Sequence, residues 1–280
     1  MTLIQWSGWL YQADFVLRPL TGWMNLPSEA VLPIISGMAI NIYAAIATMT
    51  VIPFTTGQMT LIAVFSLIAH NLIAEGIIQY RSGMNIVKMT LVRIAAAIAT
   101  VLVVSQFVGD TTESIAGLAN LTVDSPVIEV LRDWALDTLV LLAKVFGIIM
   151  FIMIVLESLT WLGWAEYLFN LARPLMRLLG LSDRTAMLWV TAVVFGLMYG
   201  GAVIQEGAKR GELTKAELER LHISIGINHS MVEDPALFVA LGLNGFWMWV
   251  PKLVTAAIAV HIFRAVEYLG KKARASRTGQ

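Results

Sequence analysis

His70-Asn71-Leu72-Ile73-Ala74-Glu75 and His229-Ser230-Met231-Val232-Glu233-Asp234 are two versions of one segment, 159 residues apart (His229 minus His70). The same offset relates Gly37 to Gly196, Thr55 to Thr214, Glu75 to Asp234, Gly83 to Gly242, Asn85 to Asn244 and Arg93 to Lys252. A frame held without a gap over such positions requires a duplicated structural unit. The chain has only four histidines and 14% charged residues, so a His, an acid, an Asn and a cation coinciding in one frame carry weight. These polar residues lie in or beside apolar stretches long enough to span a bilayer. Ionisable groups there are costly and are functional candidates by default.

A chain that is 58% hydrophobic, with mean hydropathy +0.76, belongs to a membrane and not to a soluble globule. Its 280 residues have room for about seven to nine membrane segments. Cysteine is absent, which excludes disulfides and thiolate metal sites. The N-terminus lacks a basic leader and carries Asp14 and Arg18 in its first apolar stretch, so no signal peptide is expected. No basic patch suggests nucleic acid. The run Lys271-Lys272-Ala273-Arg274 reads as a cytoplasmic tail over residues 269–280.

The repeats are read as residues 1–108 and 160–268, joined by an acidic external loop and a linker span within 109–159. Each opens with an aromatic, amphipathic stretch: Trp6, Trp9, Tyr11, Phe15 and then Arg18-Pro19, matched by Trp161, Trp164, Tyr167, Phe169 and then Arg173-Pro174. Such stretches suit the membrane interface, although residues 1–20 could also form a short span. Next come apolar segments with glycine-rich centres, 30–52 and 186–206. Long helices carrying the His and acid follow, 57–80 and 216–241, then third helices, 86–107 and 246–266. One further span is expected at about 137–160.

Arg132 is the one basic residue of the 109–135 loop, whereas Lys and Arg cluster elsewhere. The positive-inside rule then places that loop outside and the C-terminus inside. On this count the fold is an all-α multi-pass membrane protein with two inverted repeats, each an interfacial helix, a re-entrant hairpin and two spanning helices. Gly37 and Gly200-Gly201 are the expected hairpin tips. Three full spans per repeat, giving parallel repeats, is the competing count, and it strands one basic cluster outside.

Four residues separate His229 from Glu233, which places them on one helix face, and Pro235 predicts a kink or break after them. His70 and Glu75 are five apart, about 140° round an ideal helix. They reach one ligand only if the helix is unwound, for which Gly76 is the candidate position. The expectation is that His70, Glu75, His229 and Asp234 approach one another near the midplane, with Arg93 and Lys252 as counter-ions of the acids. A structural alternative caps each His with a neighbouring carbonyl. Two His with Glu75, Glu233 and Asp234 would also suit a divalent transition metal, without forming a standard metal motif. Asn85 and Asn244 read as helix C-terminal turns. Lys144 falls mid-span in the linker helix. No nucleophile motif, phosphate loop or His-Glu-x-x-His run supports an enzyme.

The element order, with Gly37-Met38-Ala39-Ile40-Asn41-Ile42-Tyr43-Ala44-Ala45, Pro53 and Ala69 to Gly76, and with Gly196 to Ala202 and Asn228 to Asp234 as partners, resembles the nucleoside-recognition or Gate domain family. That group includes the core of concentrative nucleoside transporters, the gates of ferrous-iron transporter B and the spore-maturation A/B proteins. The Gln-Thr-x-Glu hairpin signature of the nucleoside transporters and the Cys-x-x-Pro gate of the iron transporter are absent, so the resemblance implies architecture more firmly than substrate. By analogy, the substrate and ion site would comprise Asn41, His70, Asn71, Glu75, Tyr199, Gln205, His229, Glu233 and Asp234. The implied function is secondary transport of a small polar solute, nucleoside-like solutes included, coupled to Na⁺ or H⁺, in the cell (inner) membrane. The alternatives are a divalent-metal permease and a non-transporting membrane protein that recognises a ligand or partner. No cofactor beyond Na⁺ or a divalent ion is implied, and homo-oligomers are compatible with it. Single cysteines introduced at positions 115 and 275 are expected to label from opposite sides of the membrane. Labelling of both from one side would overturn the topology.

Overall fold

In a computed structural model, residues 21–109, 127–211 and 213–278 are described, and among them the regular structure is entirely helical. The expected interfacial helix at 1–20 and most of the acidic loop fall outside these residues. The helices are α1 (Val31–Ala39), α2 (Ile42–Met49), α3 (Thr56–Ala69), α4 (Leu72–Arg81), α5 (Ile86–Val104), α6 (Val127–Trp161), α7 (Ala165–Leu178), α8 (Ala186–Phe195), α9 (Leu197–Lys209), α10 (Lys215–Asn228), α11 (Glu233–Ala240) and α12 (Gly245–Thr278). Shifted by 159 residues, α3 falls on α10 residue for residue, and α5 and α12 start at the same place. The duplication read from a few polar residues therefore extends to the backbone.

Local chemistry explains the match. Thr55 and Thr214 both close a capping box, with Gln58 and Glu217 returning a bond to the cap backbone. Each satisfies two donors that a helix start leaves open. Gly83 and Gly242 take left-handed φ values of 85° and 96° and follow the ends of α4 and α11, the second halves of the interrupted helices. Asn85 and Asn244 do the opposite of what the sequence suggested. Their side-chain oxygens accept from Lys88 N and Phe246 N, each at 2.9 Å, so they start the next helix. The glycine has already ended the preceding one, and Asn is among the best N-caps.

The long helices are interrupted, but not at Gly76 or Pro235. The break lies at His70-Asn71 and at His229 to Val232. Asn71 and Ser230, equivalent residues, both adopt left-handed φ, 51° and 49°, and each preceding His is extended. Pro235 lies in the first turn of α11, where its missing donor costs nothing. Gly76 serves packing: a Cβ there would meet the Ile86 side chain at 2.9 Å. Because the chain leaves the helix between them, His229 and Glu233 do not share a helix face.

Both apolar segments fold into helical hairpins, again with displaced tips. The first turns at Ile40-Asn41, where the Asn41 side chain caps α2 through Ala44 N at 2.9 Å. Gly37 lies within α1, close against Ala45 and Ser66. The second turns at Gly196, φ 82° and ψ 162°. Gly200 lies one turn into α9, where a Cβ would be 2.5 Å from Ala192 Cα. These glycines allow the two arms to approach, and the sharp backbone turn is made elsewhere.

The chain forms two compact units. One draws its described residues from Met1–Ile73, Ala97–Glu157 and Val232–Pro251, the other from Ala74–Ala96, Ser158–Met231 and Lys252–Gln280. The chain changes unit at Ile73/Ala74 and Met231/Val232, equivalent places in the two repeats. Each unit thus holds the hairpin and first helix half of one repeat with the second helix half of the other. In the first unit, α3 is buried nearly all round, with Met59, Ile62, Leu67 and Ile68 fully enclosed, as expected of a helix apolar on every face. In the second, Met176, Leu179, Trp189, Leu221 and Ile225 form the core.

Four segments among the described residues are long and apolar enough to cross a membrane: Thr56–Arg81, Ile86–Val104, Leu131–Leu159 and Gly245–Lys272. The third, within α6, exposes Leu139, Val140, Leu142, Phe146 and Phe151 around its circumference, a surface suited to hydrocarbon and not to water. The Lys144 side chain is exposed on it. Two glycines test the packing argument. Gly200→Ala is expected to cost about 1–3 kcal/mol, because the atoms in its way are backbone. Gly147→Ala, in α6 with nothing within 4 Å, should be neutral or stabilise by up to about 1 kcal/mol. Thermal melting in detergent distinguishes the two, and equal effects would refute the packing role.

Candidate functional site

Each helix break delivers a histidine, and each unit supplies it with an acid from the other repeat. In the first unit, His70 Nε2 lies 3.4 Å from Asp234 Oδ2. In the second, His229 Nε2 lies 3.0 Å from Glu75 Oε1. All four side chains are buried. The two pairs are related by the repeat offset, His for His and acid for acid.

The other ring nitrogen is engaged in the same way in both. His70 Nδ1 is 2.8 Å from Ser66 O, and His229 Nδ1 is 3.0 Å from Ile225 O. A carbonyl only accepts, so Nδ1 carries a hydrogen in each ring. This is the carbonyl cap raised as a structural alternative, and it does not exhaust the histidine. With Nδ1 protonated, Nε2 faces a carboxylate oxygen. With the Nδ1 hydrogen engaged by a carbonyl, Nε2 is the ring position at which each pair can take up a further proton beside the carboxylate.

Further polar groups lie beside each pair. In the second unit, Arg93 Nη1 donates to Glu75 Oε2 at 2.7 Å. Glu75 therefore accepts from a guanidinium on one oxygen and faces His229 on the other. Lys252 donates to the His229 carbonyl oxygen at 2.7 Å, one of the backbone groups freed by the break. Both cations are buried. In the first unit, the Tyr43 hydroxyl on α2 donates to Glu233 Oε1, beside Asp234. Tyr43 is a site residue that the sequence reading missed. Its hairpin position was visible, but no pattern tied it to an acid 190 residues away.

Hydrogen bonds fix each break against its own hairpin. Asn71 N donates to Gly37 O at 2.8 Å. Ser230 N and Met231 N donate to Ala192 O and Val193 O at 3.5 and 2.7 Å. Backbone groups with no helical partner are thus satisfied at the helix–hairpin contact.

Of the remaining sequence candidates, the Asn41 side chain is used as a helix cap. Asn71 supplies the left-handed turn and is half-buried, and Gln205 is half-buried on α9. The Tyr199 side chain falls outside the described residues. Gly226 on α10, not singled out from sequence, is where Gln79 and Arg93 press closest: a Cβ there would be 3.1 Å from Gln79 Nε2 and 3.3 Å from Arg93 Cδ.

Comparison with known proteins gives a coarse answer. The chain is 28% identical over 290 residues to the uncharacterized membrane protein YvoD of Bacillus subtilis (strain 168), covering 100% of this chain and 90% of that protein. No family model matches the chain, and no solved structure matches it. Taken with its apolar helices, this similarity makes the chain a helical membrane protein.

The buried Glu75–Arg93 pair gives a stability test. Removing one partner of a buried pair leaves an uncompensated charge and costs about 3–5 kcal/mol. Glu75→Leu and Arg93→Leu are each expected to lower the melting temperature sharply. The double variant should recover much of the loss, as the coupling in a double-mutant cycle. Additive losses would show that the contact is energetically idle.

Proposed function

We propose that this chain is the core of a secondary transporter for a small polar solute, in which the two His–carboxylate pairs carry the coupling cation. The observation that supports this most is the placing of a buried His Nε2 against a buried carboxylate at equivalent helix breaks in both repeats. A buried pair that can take up one proton, or a small cation in its place, suits an element that exchanges that proton during a cycle. Its duplication at equivalent helix breaks beside helical hairpins fits the way secondary transporters build sites from interrupted helices. The same features favour the Gate-type reading, with inverted repeats, a cytoplasmic C-terminus and a place in the cell membrane. They leave the solute as small and polar, with nucleosides the first class to try.

Protons suit the second unit better than a divalent metal. Glu75 Oε2 already accepts from Arg93, and a guanidinium beside a carboxylate repels a divalent ion. A metal permease and a non-transporting recognition protein remain outcomes of the test.

Purified protein in a thermal-shift screen should respond to its solute. A ligand at one hundred times its Kd adds about 2.7 kcal/mol of stability. In reconstituted vesicles, Glu75→Gln and Asp234→Asn should each abolish pH-driven uptake of that solute, measured on protein shown to be folded at the assay temperature because Glu75→Gln also leaves the Arg93 charge uncompensated. Unchanged uptake and pH dependence in both variants would remove the coupling role. Metal-only shifts that vanish in His70→Ala and His229→Ala would replace the proposal with metal transport. The absence of any shift would favour recognition without transport.

A further inference from the structure

Three buried polar side chains in the second unit are not explained by the His229–Glu75 pair. Gln79, His222 and Asn228 are each 1% exposed or less. Gln79 Nε2, both ring nitrogens of His222 and both amide atoms of Asn228 have no protein hydrogen-bond partner among the described residues. Leaving one such group unsatisfied costs about 1–3 kcal/mol. Native proteins seldom keep several, and small polar sites of this kind normally hold ordered water.

Their positions form a column. Gln79 lies four residues after Glu75 on α4, on the same face. On α10, His222, Gly226 and His229 are spaced by four and three residues and also share a face. Gln79 and Arg93 press against that face at Gly226. From His229 the column thus runs past Glu75, Arg93 and Gln79 to His222, about 10 Å nearer the start of α10 at 1.5 Å per residue. Near that end, α10 makes the Lys88–Glu219 and Arg220–Glu267 ion pairs, with Lys88 itself exposed. Asn228 adjoins His229 in the chain. The charged groups that neighbouring helices bring against α10 and the His229 break are Glu75 on α4, Lys88 and Arg93 on α5, and Lys252 and Glu267 on α12, the last through Arg220.

The first unit provides an internal control. The equivalents of His222, Gln79 and Asn228 are Ala63, Phe238 and Ala69, and Leu67 replaces Gly226. All four are buried and apolar. Both units have the His–acid pair, and one has the polar column.

We propose that the second unit contains a hydrated proton-access path, from the start of α10 past His222 and Gln79 to the Glu75–His229 pair, with no counterpart in the first unit. A proton enters from water onto one ring nitrogen of His222, and the other ring nitrogen releases a proton to the next water. Gln79 orients that chain, and the pair receives one proton at its far end. Charge and atoms balance without a further reactant. Its service to coupling rests on the function proposed above, whereas its existence does not.

Because the chain has no cysteine, single cysteines can report on water directly. Full-length protein in vesicles carrying His222→Cys, Gln79→Cys, Ala63→Cys or Phe238→Cys is treated with a small water-soluble methanethiosulfonate, and adducts are followed by mass spectrometry. Positions 222 and 79 should react at least tenfold faster than 63 and 238. Rates within threefold across the four positions would overturn the path. If a cysteine variant fails to fold, hydroxyl-radical footprinting of the unaltered chain gives the same reading. His222 should then be oxidised well above Phe238 after correction for intrinsic reactivity, and equal protection of both would overturn the path. Fast labelling with normal uptake in Glu75→Gln would keep the path and remove the pair's coupling role. Slow labelling with uptake lost in Glu75→Gln would do the reverse.

Discussion

The helix break at each histidine is the constraint on which the rest depends. An interrupted helix in an apolar setting frees donors and acceptors that water cannot reach, each costing several kcal/mol if left alone. Here the freed donors bond to carbonyls near the end of the first hairpin helix, through Asn71 to Gly37 and Met231 to Val193. The hairpin is therefore required by the break. Freed carbonyls need donors too, and the His229 carbonyl takes one from Lys252.

The acid that meets each histidine comes from the other copy of the repeat. A single repeat could fold its hairpin and its first helix half, yet it would leave its histidine facing no carboxylate. This makes the duplication a condition of the site. It also explains why the compact units exchange segments at equivalent points instead of following the repeats. Loss of either acid disturbs the unit that the other repeat began.

Much of this was legible in the sequence for a physical reason. Ionisable residues in an apolar chain are rare because they are costly, so His70, Glu75, Arg93 and their equivalents stood out and recur as buried contacts. Backbone turns were read less well. Gly200 suggests a hairpin tip and Gly76 a point of unwinding, whereas their missing Cβ atoms make room for Ala192 and Ile86. The turns fell to Gly196, Asn71 and Ser230, and Asn and Ser tolerate left-handed backbone through local polar contacts with little outward sign. Pro235 looked like a helix breaker because its distance from the helix start was misjudged. Tyr43–Glu233 depends on tertiary placement alone, and no spacing rule reaches it.

Divergence between the copies says more about mechanism than their likeness does. A gene duplication begins with identical units, so each later difference had to be tolerated by packing. Exchanging Ala63 for a buried histidine, Leu67 for Gly226 and Phe238 for Gln79 trades well-packed apolar volume for unsatisfied polar atoms. On stability alone the apolar set is favoured, since burying an amide or imidazole without a partner is unfavourable by more than a lost methyl group. The three changes also meet at one contact between α4 and α10, where Gly226 lacks the side chain that would press on Gln79. A requirement for water at the Glu75–His229 pair accounts for all three, and it applies to one unit because a proton needs one way in.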